Sequence, residues 1–317
     1  MAHLVENMAY AGQVPWHGLG FQIDPDASIE DWQKAAGLDW EVKKAAVEFQ
    51  NGERHIMKDT FVLYRDSDNR PMSVISTRYK PVQPAEILEF YRDLISMHGM
   101  KIETAGSLKD GKRIWALAKT GEVHKVLGTD QVEGYLLLAT SYDGTFATLA
   151  QFTSVRVVCN NTLQLSFNNH GARITVPHFR EFNAEAVKNQ LGIGREAWQA
   201  FTSMAEVLAR TKLDEGKAKD TISNVFRLPL GIQTPDELVK QAVDRAHADN
   251  VFQLFMGKAR GADLAGQTAW GLVNAVTEYV DHGKRARGQG NRLDSAWFGE
   301  GANLKQRAWD EAQLLAA

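Results

Sequence analysis

The chain has one cysteine, Cys159, among its 317 residues. A single thiol excludes an intramolecular disulfide and any zinc site built on several cysteines. Long hydrophobic runs are missing too. The longest apolar stretches, such as Tyr135-Leu136-Leu137-Leu138-Ala139, fall far short of the ~18 residues that suggest a membrane span. The N-terminus, MAHLVENMAY, has neither the basic region nor the apolar region of a secretory leader. These absences predict a cytoplasmic protein with no membrane partner. Cys159 in the apolar run Val157-Val158-Cys159 suits a reducing compartment.

Catalytic signatures are absent as well. There is no Walker A lysine motif, HExxH, GxSxG or CxxC. Gly192-Ile193-Gly194 is a bare GxG and reads as a helix break. The nine histidines are scattered, and no two are spaced i, i+4 as a helical metal site would need. Cys159, between Val158 and Asn160, reads as an inert core cysteine rather than a nucleophile. The expectation is a binding protein, not an enzyme, with no catalytic residues, no metal and no cofactor.

What is present is a globular composition: 44% hydrophobic and 24% charged residues. The formal net charge of −3 excludes a uniformly basic nucleic-acid coat. It hides a segregation. Residues 1–41 hold Glu6, Asp24, Asp26, Glu30, Asp31, Asp39 and Glu41 against Lys34 alone, a net of −6, so the rest of the chain carries +3. Three stretches are locally basic. Residues 108–127 contain Lys109, Lys112, Arg113, Lys119 and Lys125. Residues 153–180 contain Arg156, Arg173 and Arg180 with no acid. Residues 281–292 contain Lys284, Arg285, Arg287 and Arg292. Each reads either as solvated surface or as part of an anion-binding face that the fold would have to gather.

The punctuation along the chain predicts α+β rather than alternating α/β. Val42 to Gln50, Thr60 to Tyr64 and Met72 to Thr77 read as strands, the first closed by the turn dipeptide Asn51-Gly52. Pro84 opens a helix whose apolar face (Ile87, Leu88, Tyr91, Leu94, Ile95) runs to about His98, with Gly99 ending it. Two hairpins follow, one turning at Lys109-Asp110-Gly111 and one at Tyr142-Asp143-Gly144. From about Phe182 the apolar period becomes helical. Trp198, Phe201, Ala205 and Leu208 form one stripe; Leu272, Val276, Tyr279 and Val280 form another. Thr234-Pro235-Asp236-Glu237 is a capping box for a helix to about Met256, and Leu304 to Leu315 reads as the last helix. The architecture expected is an N-terminal antiparallel sheet with one packed helix, then a mostly helical C-terminal region. The divisions are an acidic segment 1–41, an α+β core 42–180 and a helical domain 181–317.

Two clusters stand out. Pro15-Trp16-His17-Gly18-Leu19-Gly20 reads as a tight turn pinned by Trp16 or as a docking or ligand loop. Lys284-Arg285-Ala286-Arg287-Gly288-Gln289-Gly290-Asn291-Arg292 alternates bases with small residues, as a solvated loop or as a loop that settles on phosphates. Pro15-Trp16-His17-Gly18-Leu19-Gly20, together with Arg156-Val157-Val158-Cys159-Asn160-Asn161-Thr162-Leu163, Asn274-Ala275-Val276-Thr277-Glu278-Tyr279-Val280-Asp281-His282 and Leu293-Asp294-Ser295-Ala296-Trp297-Phe298-Gly299, carries a resemblance. The chain resembles the phage- and plasmid-borne family grouped as domain of unknown function 932. That resemblance implies a mobile-element protein acting in a bacterial cytoplasm. The order of elements is also similar to that of phage single-strand annealing proteins of the RecT, Red-beta and Erf kind. It implies an oligomer that holds single-stranded DNA in a basic groove.

The function expected is therefore single-stranded-DNA binding and annealing in recombination, by a homo-oligomer. Phosphate contacts would come from Lys109, Lys112, Arg113, Arg156, Arg173, Lys284, Arg285, Arg287 and Arg292, with bases stacked on Trp115 or Phe152. Two other readings stay open. One is a host-interaction or anti-restriction protein that uses its acidic N-terminus and binds no DNA. The other is an enzyme built around Trp16, His17 and Glu278 or His282.

Overall fold

Sheet precedes helix, and the fold is α+β. The structure is a computed structural model, and it describes residues 5–12, 15, 18–156, 161–164, 173–191, 195–228, 235–284 and 292–317. The chain forms two compact units, each assembled from separate stretches. The first comprises Met1–Gly121, Tyr135–Phe152 and Asn169–Gly194. The second comprises Glu122–Gly134, Thr153–Asn168 and Arg195–Ala317.

The first unit begins with β1 (Val5–Ala11), β2 (Phe21–Ile23) and α1 (Ile29–Ala35). Ser28 caps α1 by accepting the Asp31 N–H at 3.1 Å, and Glu30 and Asp31 favour the helix N-terminus. Then come β3 (Val42–Asn51), β4 (Glu53–Arg65) and β5 (Arg70–Ser76), an antiparallel three-stranded sheet in that order. Its first turn is Asn51-Gly52, with Gly52 at φ +76°. Arg65 is buried between two acids. It grips Glu6 of β1 with both terminal nitrogens (2.9 and 2.8 Å) and Asp68 with Nε (2.9 Å), beneath the Trp40 ring. One carboxylate of the acidic N-terminal stretch is thus a structural tie.

The helix expected over 84–98 is two helices, α2 (Pro84–Glu89) and α3 (Arg92–His98). At the break the Tyr91 N–H bonds to the Leu88 carbonyl, three residues back, and Phe90 and Tyr91 both turn into the core. The Tyr91 hydroxyl reaches two buried carbonyls, Ala116 at 2.8 Å and Leu136 at 3.0 Å. Those carbonyls belong to β7 (Arg113–Val126) and β8 (Asp130–Ser141) of the larger sheet. The other members are β1, β2, β6 (Lys101–Leu108), β9 (Thr148–Arg156), β10 (Asn161–Gln164) and β11 (Arg173–Val176). Within the first unit β6 pairs antiparallel with β7 across the predicted Asp110-Gly111 turn, β1 pairs with β6, and β11 pairs with β9. Gly106 on β6 is required by close approach: a Cβ there would sit 2.4 Å from the Asn7 carbonyl. Helix α4 (Ala184–Leu191) follows, capped by Asn183, whose side chain accepts the Ala186 N–H.

In the second unit β10 pairs with residues 153–156 of β9, and the rest is mainly helix. The helices are α5 (Arg195–Arg210), α6 (Glu215–Phe226), α7 (Pro235–Gln253), α8 (Ala262–Ala265), α9 (Ala269–Glu278), α10 (Arg292–Phe298) and α11 (Glu300–Ala316). A π-helical turn follows α7 at Leu254–Lys258, and another follows α9 at Tyr279–Gly283. Both predicted apolar stripes face the core. Trp198, Phe201, Ala205 and Leu208 are buried on α5, and Phe201 stacks on Trp309 with ring centroids 5.3 Å apart. Leu272, Val276, Tyr279 and Val280 are buried too. The Trp270 indole donates to Asp130 at 2.8 Å. Lys305 of α11, 1% exposed, pairs with Asp281 in the second π-helical turn. Burial pushes the Lys305 ammonium below its ordinary pKa, and Asp281 opposes that shift.

That buried pair predicts an asymmetric mutational response. Lys305→Met withdraws the ammonium from a buried carboxylate and should cost about 3–5 kcal/mol in urea unfolding. Adding Asp281→Asn should recover part of the loss.

Candidate nucleic-acid interface

Four loops of the first unit meet here: Tyr142 ties three of them together, and His178 brings in the fourth. They are the β6–β7 turn (109–112), the β8–β9 loop (142–147), the β5–α2 loop (77–83) and the β11–α4 loop (177–183). The Tyr142 N–H donates to the Lys112 carbonyl at 2.7 Å, and its hydroxyl donates to the Val82 carbonyl at 2.7 Å. Its own carbonyl accepts the Ser73 hydroxyl of β5. The ring packs edge-on to Trp40. Burial holds the Tyr142 hydroxyl well above its ordinary pKa, so it stays a neutral donor.

On one side of the β8–β9 loop lies Arg113. It is 7% exposed, donates to the Thr145 hydroxyl at 2.8 Å, lies 3.6 Å from Asp143 and sits over the Phe146 ring. Desolvation lowers its pKa and Asp143 opposes this. Lys109 and Asp110 precede it at φ +53° and +58°, a left-handed run that Gly111 continues at +81°. Lys109 is shifted down, first by burial and then by Arg113. Lys112 is half-buried.

On the other side, the Tyr79 hydroxyl donates to the Ser141 carbonyl at 2.6 Å, and its ring stacks on His178 at 4.4 Å. His178 Nε2 donates to the Phe146 carbonyl at 3.1 Å, which fixes the tautomer and leaves Nδ1 buried without a partner. Lys44 of β3 donates to the Tyr79 carbonyl, and the Lys80 N–H donates to the His178 carbonyl. The outermost residues are Arg78, Phe179 and Arg180, all exposed. Phe179 is 62% exposed, with the Arg180 guanidinium 5.8 Å from its ring centroid. The four loops themselves hold Arg78, Lys80, Lys109, Lys112 and Arg180 against three carboxylates, Asp110, Asp143 and Glu181, with Lys44 of β3 and Arg113 of β7 at their margins. Two of those carboxylates are engaged locally: Glu181 bonds Lys80 at 2.7 Å, and Asp110 lies 3.1 Å from Arg70.

Lys109, Lys112 and Arg113, expected from sequence, therefore lie in this cluster. Trp115 is a correction. It is 1% exposed, its indole N–H reaches Thr104 at 3.3 Å, and its ring offers no face to a base. Phe152 is corrected likewise: it is 6% exposed and forms part of the wall of a 290 Å³ cleft with Leu94, Met97, Met100, Leu136 and Leu191. An ion pair of Asp93 and Lys188, 3.0 Å apart, also lines that cleft. Arg173 is exposed on β11 opposite Gln151. Arg156 ends β9 in the second unit, and Arg292 opens α10 there; the side chains of both lie outside the described residues. Lys284, also in the second unit, lies 3.6 Å from Glu300. Arg285, Arg287, Trp16, His17 and Cys159 fall outside the described residues.

Arg78, Lys80 and Phe179 were missed in the sequence. Phe179-Arg180 was the available signal: an aromatic beside a base, just before the helical region. Among the described residues, no group of three or more His, Cys, Asp or Glu is placed to hold a metal ion. No helix there is long and apolar enough to cross a membrane.

Residues 71–297 match the model of a family described as Domain of unknown function (DUF932). The chain belongs to this family. No curated protein and no solved structure matches it. All four loops fall inside the matched DUF932 stretch, whereas Lys44 and the Pro15–Gly20 motif fall outside it.

His178 gives the cluster a pH dependence. Burial depresses its pKa below the ordinary 6.5, although its hydrogen bonds act the other way. The unfolded chain then takes up a proton first. Stability should be intact above pH 6.5 and fall as the pH drops through that value towards the folded-state pKa. His247, shifted in the same direction by burial, adds to the slope. His178→Gln should remove part of it, read as Tm against pH between about 7 and 5.

Proposed function

We propose that this protein binds single-stranded DNA through the loops joined at Tyr142 and His178, and that it works as a homo-oligomer of a mobile element, annealing strands in the bacterial cytoplasm. The observation that carries this reading is Phe179, an exposed aromatic ring beside Arg180 in a loop cluster with five cations against three carboxylates. Single strands are held in this way: phosphates are drawn to cations, and bases stack on an aromatic face without a demand for sequence. The rigid hydrogen bonds to Tyr142 support it further, since a platform that is already ordered loses little entropy on binding. An acidic chain as a whole is compatible with this, because the local excess of positive charge is what the strand meets.

The test is fluorescence anisotropy with a labelled oligonucleotide over a salt series. Binding should weaken steeply with salt. Arg78→Ala and Arg180→Ala should each lower the slope of log K against log salt by about 0.7. Phe179→Ala should cost about 1–3 kcal/mol with little change in slope. Absence of binding at low salt would overturn the reading and leave the chain as a protein-binding, host-directed factor.

A further inference from the structure

The β3–β4 hairpin reaches beyond the rest of its sheet. Residues 43–46 and 48–59 are exposed, while β5 covers β4 only from Thr60 to Arg65. Among the described residues, β3 has β4 on one side and no second neighbour. Such an edge is a template for another strand.

Gln83 shows which backbone groups point outward. Its side-chain oxygen accepts the Val42 N–H at 2.9 Å, and its side-chain nitrogen donates to the Val42 carbonyl at 3.2 Å. One amide thus imitates a neighbouring strand at Val42. By strand alternation the edge groups of Lys44 and Ala46 also face away from β4. Between Ala46 and Glu48 the β3–β4 register shifts, but two steps on β3 there face five on β4 (Phe61 to Ile56), so the extra residues lie on β4 and β3 carries its alternation on to Glu48. All three residues are exposed.

We propose that this edge pairs antiparallel with the same edge of a second copy, centred on Ala46, to form a two-fold symmetric six-stranded sheet. The charge pattern selects the register. Centred on Ala46, Lys44 of each copy faces Glu48 of the other, Ala45 faces Val47, and Ala46 faces Ala46. A centre at Lys44 or Glu48 sets like charges face to face. A centre at Ala45 or Val47 leaves Lys44 opposite an uncharged residue. The apolar side chains follow the same register. Ala45, Val62 and Val74 lie opposite one another across β3, β4 and β5, and Val74 is 63% exposed. Val47 of the partner strand extends that row across the junction. Residues 48–58 carry Glu48, Glu53, Arg54 and Lys58, a neutral set, so the arm itself has no pull on phosphate. Lys44 and Glu48 hold the Tyr79 carbonyl and Arg54 in the single chain, and pairing adds an opposite charge to each.

This inference deepens the oligomeric part of the proposed function and needs no nucleic acid, so it is tested without any. Sedimentation equilibrium of the full chain should show a dimer that dissociates on dilution. Glu48→Lys, which sets two ammonium groups face to face at each end of the junction, should weaken association by more than about tenfold. Lys44→Glu should do the same by the opposite charge. The double variant Lys44→Glu/Glu48→Lys restores the pairing and should restore the dimer. Circular dichroism and Tm identify a single variant that fails to fold, and the other single variant then carries the comparison. A monomeric wild type at about 100 μM overturns the inference. So does a folded Glu48→Lys or Lys44→Glu variant that associates as well as wild type, or a folded double variant that stays as weak as the singles.

Discussion

The candidate interface depends on the burial of one phenol. Tyr142 follows directly on β8 and places its ring inside the first unit, where its main chain and hydroxyl together serve three other segments. Each bond alone contributes on the order of 1 kcal/mol. Their importance here is positional. The carbonyl of Lys112 and the carbonyl of Val82 are 30 residues apart in sequence, and a single residue fixes both. The cations of the two segments, Lys109, Lys112 and Arg113 on one and Arg78 and Lys80 on the other, are tied to one buried residue although they repel. Without such a constraint, loops of like charge would spread apart in water.

Charge in this molecule is used in two different ways. Buried charges, such as Arg65 between Glu6 and Asp68 and Lys305 beside Asp281, are matched and serve the fold. At the outer loops Arg78 and Arg180 are exposed, and the carboxylates nearby are engaged with Lys80 and Arg70. The net charge of the chain averages these two populations and describes neither.

Much of the fold was legible in the sequence. Asn51-Gly52 and Asp110-Gly111 turn where a left-handed residue is needed, and the stripes of α5 and α9 face the core at helical spacing. Strand β1 was not legible, because Val5–Ala11 mixes polar and apolar residues and gains its place only by pairing with β6. The break at Phe90-Tyr91 was hidden because the apolar spacing runs through it. The site was legible in part. Lys109, Lys112 and Arg113 stand together in the chain, but Arg78 and Arg180 meet the same loops only through long-range bonds. Trp115 and Phe152 were misassigned for one reason. Arg113 to Ala118 is buried at every position, so the run Ile114-Trp115-Ala116-Leu117-Ala118 is a strand covered on both faces, not an aromatic on a surface.

Neither compact unit is continuous in sequence. The first needs residues as late as 194, and the second draws on 122–134 and on the final helix. On a ribosome, then, the first unit lacks β11 and α4 until past the middle of synthesis, and β9 must wait for the strand that pairs with residues 148–151. The matched family stretch has the same consequence at the bench. Its limits, 71 and 297, fall inside β5 and α10. A fragment cut there would lose β1, β3, β4 and Lys305 together, and with them the partners of its own buried residues.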